Sequence, residues 1–202
     1  MRMSLKSKNT PILTGFVLLN LVIFLTFYGF SWGEFTRFSN GFTLQSPFFA
    51  VAVHLIVLVL CYFFPETIKN TLVYWRIKNP LPGTRAFSEL APKDVRISMD
   101  NLKNQFGTLP TDPLEQNRLW YRIYRSKEKD TVVTSSHSRW LLTRDITTIA
   151  FELLILLSVI TFARSFALMS FVYSIFLVLQ YLLFVIVARN NGNKFVCNVL
   201  AR

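Results

Sequence analysis

Side chains able to carry acid–base, nucleophilic or metal chemistry are scarce: the 202 residues include two histidines, two cysteines and 11 acidic groups. His137 is the one histidine outside the apolar blocks. Its neighbours Ser135, Ser136 and Ser138 sit where a helix starts, and serines there cap backbone N–H groups more often than they attack substrates. Neither metal-ligand spacing nor a Ser-His-Asp arrangement can be built around His137. Gly83 and Gly107 are isolated, so there is no phosphate-cradling loop, and Asp94, Asp100, Asp112 and Asp130 share no motif. Cys61 lies in an apolar block and Cys197 near the C-terminus, which argues for two reduced thiols rather than a disulfide. The expectation is no catalytic residue, no metal and no cofactor.

Two other constellations are more specific. Each of four apolar blocks carries one polar side chain near its middle: Asn20, His54, Glu152 and Gln180. At a helical rise of ~1.5 Å per residue, all four fall within about 5 Å of a common depth. A charged side chain at the centre of a bilayer costs about 2.5–3.5 kcal/mol or more, so Glu152 should be neutral, face other helices, or pair with His54 or Gln180. A hydrogen-bonded clasp holding a bundle together needs no more than this. An ion or proton site, or a polar seam between copies, uses the same residues. The second constellation is basic. Arg118, Arg122, Arg125 and Lys129 recur at i, i+4, i+7 and i+11, one stripe of a helix. Such a stripe is a solvated face, a contact for anionic lipid, a partner-protein contact or a nucleic-acid contact. Acidic neighbours and tethering close to a membrane rank nucleic acid below lipid and protein.

The elements that must position these groups follow from hydropathy. With 52% hydrophobic residues and a mean hydropathy of +0.39, the chain is too apolar for an ordinary water-soluble domain. The apolar residues gather in Pro11–Phe30, Pro47–Phe64, Ile146–Phe162 and Phe166–Val187. Each block suits a transmembrane helix of about 17–25 residues. The first is too long for a signal peptide and no small-residue cleavage site follows it. Net charge is +11. Basic residues concentrate in the N-terminal tail, the long segment from Glu66 to Arg144 and the C-terminal tail, while the other two connections carry Arg37 and Arg164 alone. Positive charge stays cytoplasmic, which predicts both termini inside. Trp32, Phe35 and Phe38 are then expected at the outer interface, where Asn40-Gly41 suits a tight turn. Tyr62, Tyr74, Trp75 and Trp140 are expected at the inner one.

Between the second and third blocks the pattern changes. Ile68, Leu72 and Trp75 predict an interfacial helix over Thr67–Lys78, with Lys69, Arg76 and Lys78 toward lipid phosphates. Asn79–Gly83 breaks it. Val95, Met99, Leu102 and Phe106 predict a helix from Asp94 to Phe106, closed by Gly107. Asp112-Pro113-Leu114-Glu115 is a strong helix start, followed by an apolar face of Leu119, Trp120, Ile123 and Tyr124. Thr131–Val133 reads as a short extended piece, after which Ser135 or Ser136 caps a helix running through Trp140 into the third span. The stretches Leu81–Phe87 and Asp112–Tyr124 are motif-like in density, and neither carries a family assignment.

The expected fold is therefore an all-α integral membrane protein with four transmembrane helices and a small helical cytoplasmic domain between spans two and three. Its parts are residues 1–65, 66–144 and 145–202. The expected role is a non-enzymatic subunit of a bacterial inner membrane that oligomerises through its spans and docks a cytoplasmic protein, as an anchoring, sensing or effector component, phage defence included. A small channel, transporter or pore built on Glu152 is the alternative, and a membrane-embedded enzyme the third. Expected partners are the bilayer, its anionic headgroups, further copies of the chain and a cytoplasmic protein.

Overall fold

The computed structural model describes residues 5–27, 47–164 and 168–202, with side chains for 8–27, 55–163 and 168–202. The expected outer loop, including Trp32, Phe35, Phe38 and Asn40-Gly41, lies outside the described residues, as does the side chain of His54. Among the described residues the α-helices run in order: α1 Leu5–Phe27, α2 Pro47–Phe63, α3 Glu66–Tyr74, α4 Met99–Phe106, α5 Pro113–Lys127, α6 Thr131–Arg164 and α7 Leu168–Leu200. Short 3₁₀ and π turns occupy Pro82–Arg85, Ala86–Leu90 and Ala91–Lys93, and no strand occurs among the described residues. Among the described residues three helices are long and apolar enough to cross a membrane, or four if the bent pair Leu55–Phe63 and Glu66–Tyr74 counts as one span.

Proline sets one boundary. Pro65 has no N–H and drives the preceding residue out of helical geometry, so α2 stops at Phe63 and α3 begins afresh. The last two helices are instead longer than a bilayer requires. At 34 and 33 residues each spans about 50 Å, against a hydrocarbon core of about 30 Å. The surplus is the start of α6 and the end of α7.

The chain divides into two units: Met1–Pro65 with Asp145–Phe184, and Glu66–Arg144 with Val185–Arg202. In the first, Leu13, Val17, Val57, Ile149, Leu153 and Leu177 are buried, and rings lock the helices together. Phe16 meets Phe184 edge-on at 5.2 Å, and Phe27 and Phe24 flank Tyr173 at 5.1 and 5.9 Å. Leu19, Val22, Ile56, Val59, Ile155, Val159, Ile175 and Leu179 face outward. An outer surface this apolar suits hydrocarbon rather than water.

In the second unit several elements depart from the pattern-based expectation. Residues Val185–Arg202, which read as the end of a span and a polar tail, are helical to Leu200 and pack with residues 66–144. The extended piece at Thr131–Val133 is instead the first turn of α6. Its cap is Asp130, whose Oδ1 accepts from the N–H groups of Val132 at 2.8 Å and Val133 at 3.1 Å. Ser135 and Ser136 bond back to Val132 and Val133 carbonyls within that turn. The helix expected from Asp94 begins at Met99, because Ser98 accepts from Asn101 N–H while Asp94 is engaged with Arg96. Val95, expected on an apolar stripe, is fully exposed. Gly107 closes α4 at φ +77°, a positive value that favours glycine. The interfacial helix ends at Tyr74, four residues short of Lys78, and Trp75 takes a positive φ of 53°.

Candidate functional site: an aromatic pocket beneath a basic helix face

Helix α5 is the keel of the second unit. Asp112 caps it, accepting from Leu114 and Glu115 N–H groups at 3.0 Å each, and Pro113 supplies a preset first turn. Gln116, Trp120 and Ile123 are buried along one side. Gln116 explains why two separate stretches look motif-like. Its Oε1 accepts from Phe87 N–H, Ser88 N–H and Ser88 Oγ–H, each at 3.1 Å, and its Nε2 donates to the Thr111 carbonyl at 2.9 Å. One buried amide thus satisfies the backbone of the tight turns after Gly83. Gly83 itself lies against Asn117 and Trp120 so closely that a Cβ there would collide with both.

The end of α7 is fastened to the same keel. Trp120 Nε1 donates to the Val196 carbonyl at 3.3 Å, and Lys127 Nζ to the Val199 carbonyl at 3.3 Å. A cation on the last carbonyls of a helix complements its dipole. Burial also moves the Lys127 ammonium below its ordinary pKa. Arg189 treats α3 the same way: Nε donates to the Val73 carbonyl at 2.6 Å, and the guanidinium lies 4.3 Å from the Trp75 ring centre. Gly192 admits the Tyr74 hydroxyl and the Trp140 indole N–H into the space a side chain would fill. Burial pushes the Tyr74 hydroxyl well above its usual pKa, against the opposing pull of Arg85, Trp140 and Arg189.

These contacts assemble a ring cluster. Trp120 stacks on Tyr124 at 5.8 Å and 11°. His137 stacks on Phe195 at 4.7 Å and 4°, with Trp140 on the same ring at 5.9 Å and 20°. The two stacks meet near a right angle, Trp120 to Phe195 at 87° and Tyr124 to His137 at 83°. The Tyr124 hydroxyl and His137 Nδ1 share a hydrogen bond of 3.1 Å. His137 precedes the apolar block of α6, outside the expected span. Burial, and then the positive charge of Arg144, hold its pKa down to about 4. Between the stacks and the Leu81–Gly83 turn is a cavity of about 200 Å³, with Asn117 and Tyr121 on its walls.

The opposite side of α5 carries the first three residues of the basic stripe, while the fourth, Lys129, lies in the turn beyond the helix end at Lys127. Arg118, Arg122, Arg125 and Lys129 are all exposed. At 100° per residue Arg118, Arg122 and Arg125 share an arc of about 100° with exposed Leu114 and Tyr121. Arg125 is held by Glu128 at 2.7 Å. Among the described residues no ion pair engages Arg118, Arg122 or Lys129. The cations on and just after α3 are placed differently. Arg76 and Lys78 are exposed, with Arg76 3.9 Å from Glu89. Lys69 is only 2% exposed, on the inner side rather than toward lipid phosphates. The reason is rotational: Val73, one turn on, packs with Tyr74 and Ala188, and Lys69 follows it inward. The outward face is Ile68 and Trp75, then Ile77.

Of the polar layer, Asn20 is fully buried and donates to the Phe16 carbonyl of its own helix at 3.0 Å. Glu152 is buried and Gln180 half-buried. Cys61 and Cys197 are free thiols. Burial, with Asp94 nearby, raises Cys197 to about 11. Sequence reasoning missed Gln116, Gly192 and Phe195 as structural determinants. For Gln116 and Gly83 the signal was the pair of dense stretches, now docked on each other. For Gly192 and Phe195 no local signal exists. Compared with protein-family models, curated proteins and solved structures, the chain matches none of them.

Proposed function

We propose that the chain is a four-span, non-enzymatic subunit of a bacterial inner membrane, with both termini and the second unit in the cytoplasm. It oligomerises through its spans and docks an acidic protein on the outer face of α5. The observation that carries this reading is the exposed arc of Leu114, Arg118, Tyr121, Arg122 and Arg125 on α5, with Lys129 exposed just past its end. Arginine and tyrosine are enriched at interface hot spots, and an arc mixing them with an apolar residue is complementary to an acidic, partly apolar segment. The helix bearing it is fixed by a buried amide and by two bonds to α7, so the arc is preorganised. Exposed Ile68, Trp75 and Ile77 beside Arg76 and Lys78 suit contact with the headgroups of an anionic bilayer.

The test is native mass measurement of the chain purified from its own membrane. Arg118→Glu with Arg122→Glu should release a stoichiometric acidic protein while leaving the mass of the chain's own oligomer and its melting temperature unchanged. Raising salt from 0.05 to 0.5 M should weaken the wild-type complex in the same direction. Identical masses for wild type and variant in low salt would refute docking on this face.

A further inference from the structure

The geometry points to a small-molecule site in the second unit: we propose that the cavity beside α5 binds a planar aromatic anion of one or two rings. The size comes first. The cavity measures about 200 Å³. An apolar cavity of about 150 Å³ accommodates benzene, so this one suits a fused two-ring system. At protein packing density, about 0.74, it takes about 150 Å³ of ligand atoms.

The walls select a flat guest. Trp120 and Tyr124 form one stack, and His137, Trp140 and Phe195 another, close to perpendicular. A ring lying parallel to one stack presents its edge hydrogens to the ring faces of the other, the offset and T-shaped contacts that aromatic pairs prefer. The polar equipment on the walls includes an amide. The Asn117 side chain on the wall is half-buried, and among the described residues no hydrogen bond engages its amide, so donor and acceptor are both available to a ring heteroatom or substituent.

Charge fixes the remaining property. Tyr121 lines the cavity and is also 51% exposed on the outer arc of α5. Arg118 precedes it by three positions and Arg122 follows it directly, and among the described residues no ion pair occupies either. A substituent passing Tyr121 comes alongside Arg118, one turn back on the same side of α5, with Arg122 one turn beyond Arg118 and further round the helix. Arginine forks recognise sulfonate, phosphate and carboxylate oxygens alike. A neutral guest would leave that attraction unused, and a cationic one would be repelled.

Calorimetry on the full chain in detergent, with empty micelles as the blank, tests this with naphthalene-2-sulfonate, the neutral naphthalene-2-methanol and sulfate alone. The chain is purified free of partners, so the outcome is read independently of protein docking. The sulfonate should bind at least tenfold more tightly than the alcohol, and sulfate alone should give no saturable heat. Tyr121→Ala should weaken both aromatic probes about tenfold. Arg118→Gln with Arg122→Gln should bring the sulfonate down to the affinity of the alcohol and leave the alcohol unchanged. Absence of binding by both aromatic probes, equal affinities in the wild type, or an unaffected Tyr121→Ala would each overturn the proposal. The exposed positions of these three side chains keep the variants folded, which the melting temperature checks.

Discussion

His137 should behave as a neutral structural ring across physiological pH, and acid should destabilise the second unit through it. Burial and Arg144 lower its pKa from 6.5 to about 4. Below pH 6.5 the unfolded chain takes up a proton that the folded chain refuses. Stability therefore falls as pH drops from about 6.5 to about 4, and this group contributes no further loss below that. At about 1.36 kcal/mol per pH unit, the loss between pH 7 and pH 5 is about 2 kcal/mol. The imidazole is only half-buried, and solvent screening reduces the figure to about 1 kcal/mol. Two measurements read it. The histidine ring resonances of the folded chain should show one imidazole titrating near pH 4. Melting temperature should fall between pH 7 and pH 5 more steeply in the wild type than in His137→Phe, which keeps a ring against Phe195 but has no proton to gain. A His137 pKa near 6.5 in the folded chain, or equal pH slopes for the two proteins, would refute the argument that ring burial governs this residue.

Two further outcomes follow from the fold. Gly192→Ala gains about 1 kcal/mol of helix propensity but drives a methyl group into Tyr74 and Trp140, an overpacking that costs about 1–3 kcal/mol. The melt should fall, while Gly15→Ala, with open space around it, should leave the melt unchanged or raise it. Asp130→Ala removes the cap of α6 and should cost about 1 kcal/mol, largely recovered by Asn, whereas Ser135→Ala should change the melt little. A larger loss from Ser135→Ala than from Asp130→Ala would return the helix start to the serines.

The amino-acid sequence by itself determines the all-helical class and the apolar blocks, because a continuous apolar run of about 20 residues satisfies its backbone in hydrocarbon as a helix, whereas the strands of a membrane barrel alternate polar and apolar residues. It determines the start of α5 as well. Asp112 and Pro113 act on the N–H groups of their own first turn, and an interaction that local needs no tertiary partner. The exposed basic arc is legible for the same reason at 118, 122 and 125, whose spacing alone puts them on one side, whereas α5 ends at Lys127 before it reaches Lys129. Asp130 is equally local, a cap directly before Thr131-Val132-Val133, although that β-branched run by itself favours an extended piece.

Tertiary structure decides what depends on distant partners. The Asn190-Asn191-Gly192-Asn193 run is poor helix sequence, yet α7 passes through it. Contacts outweigh propensity here: Arg189 with Val73, Asn191 with Thr143, and the close approach of Tyr74 and Trp140 at Gly192. Phe195 thereby reaches His137, Trp120 and Trp140, and the aromatic cavity exists only because of that extra length of helix. The inward turn of Lys69 has the same origin. Periodicity identifies which residues share a face, but packing of Val73 on Ala188 chooses which face turns in.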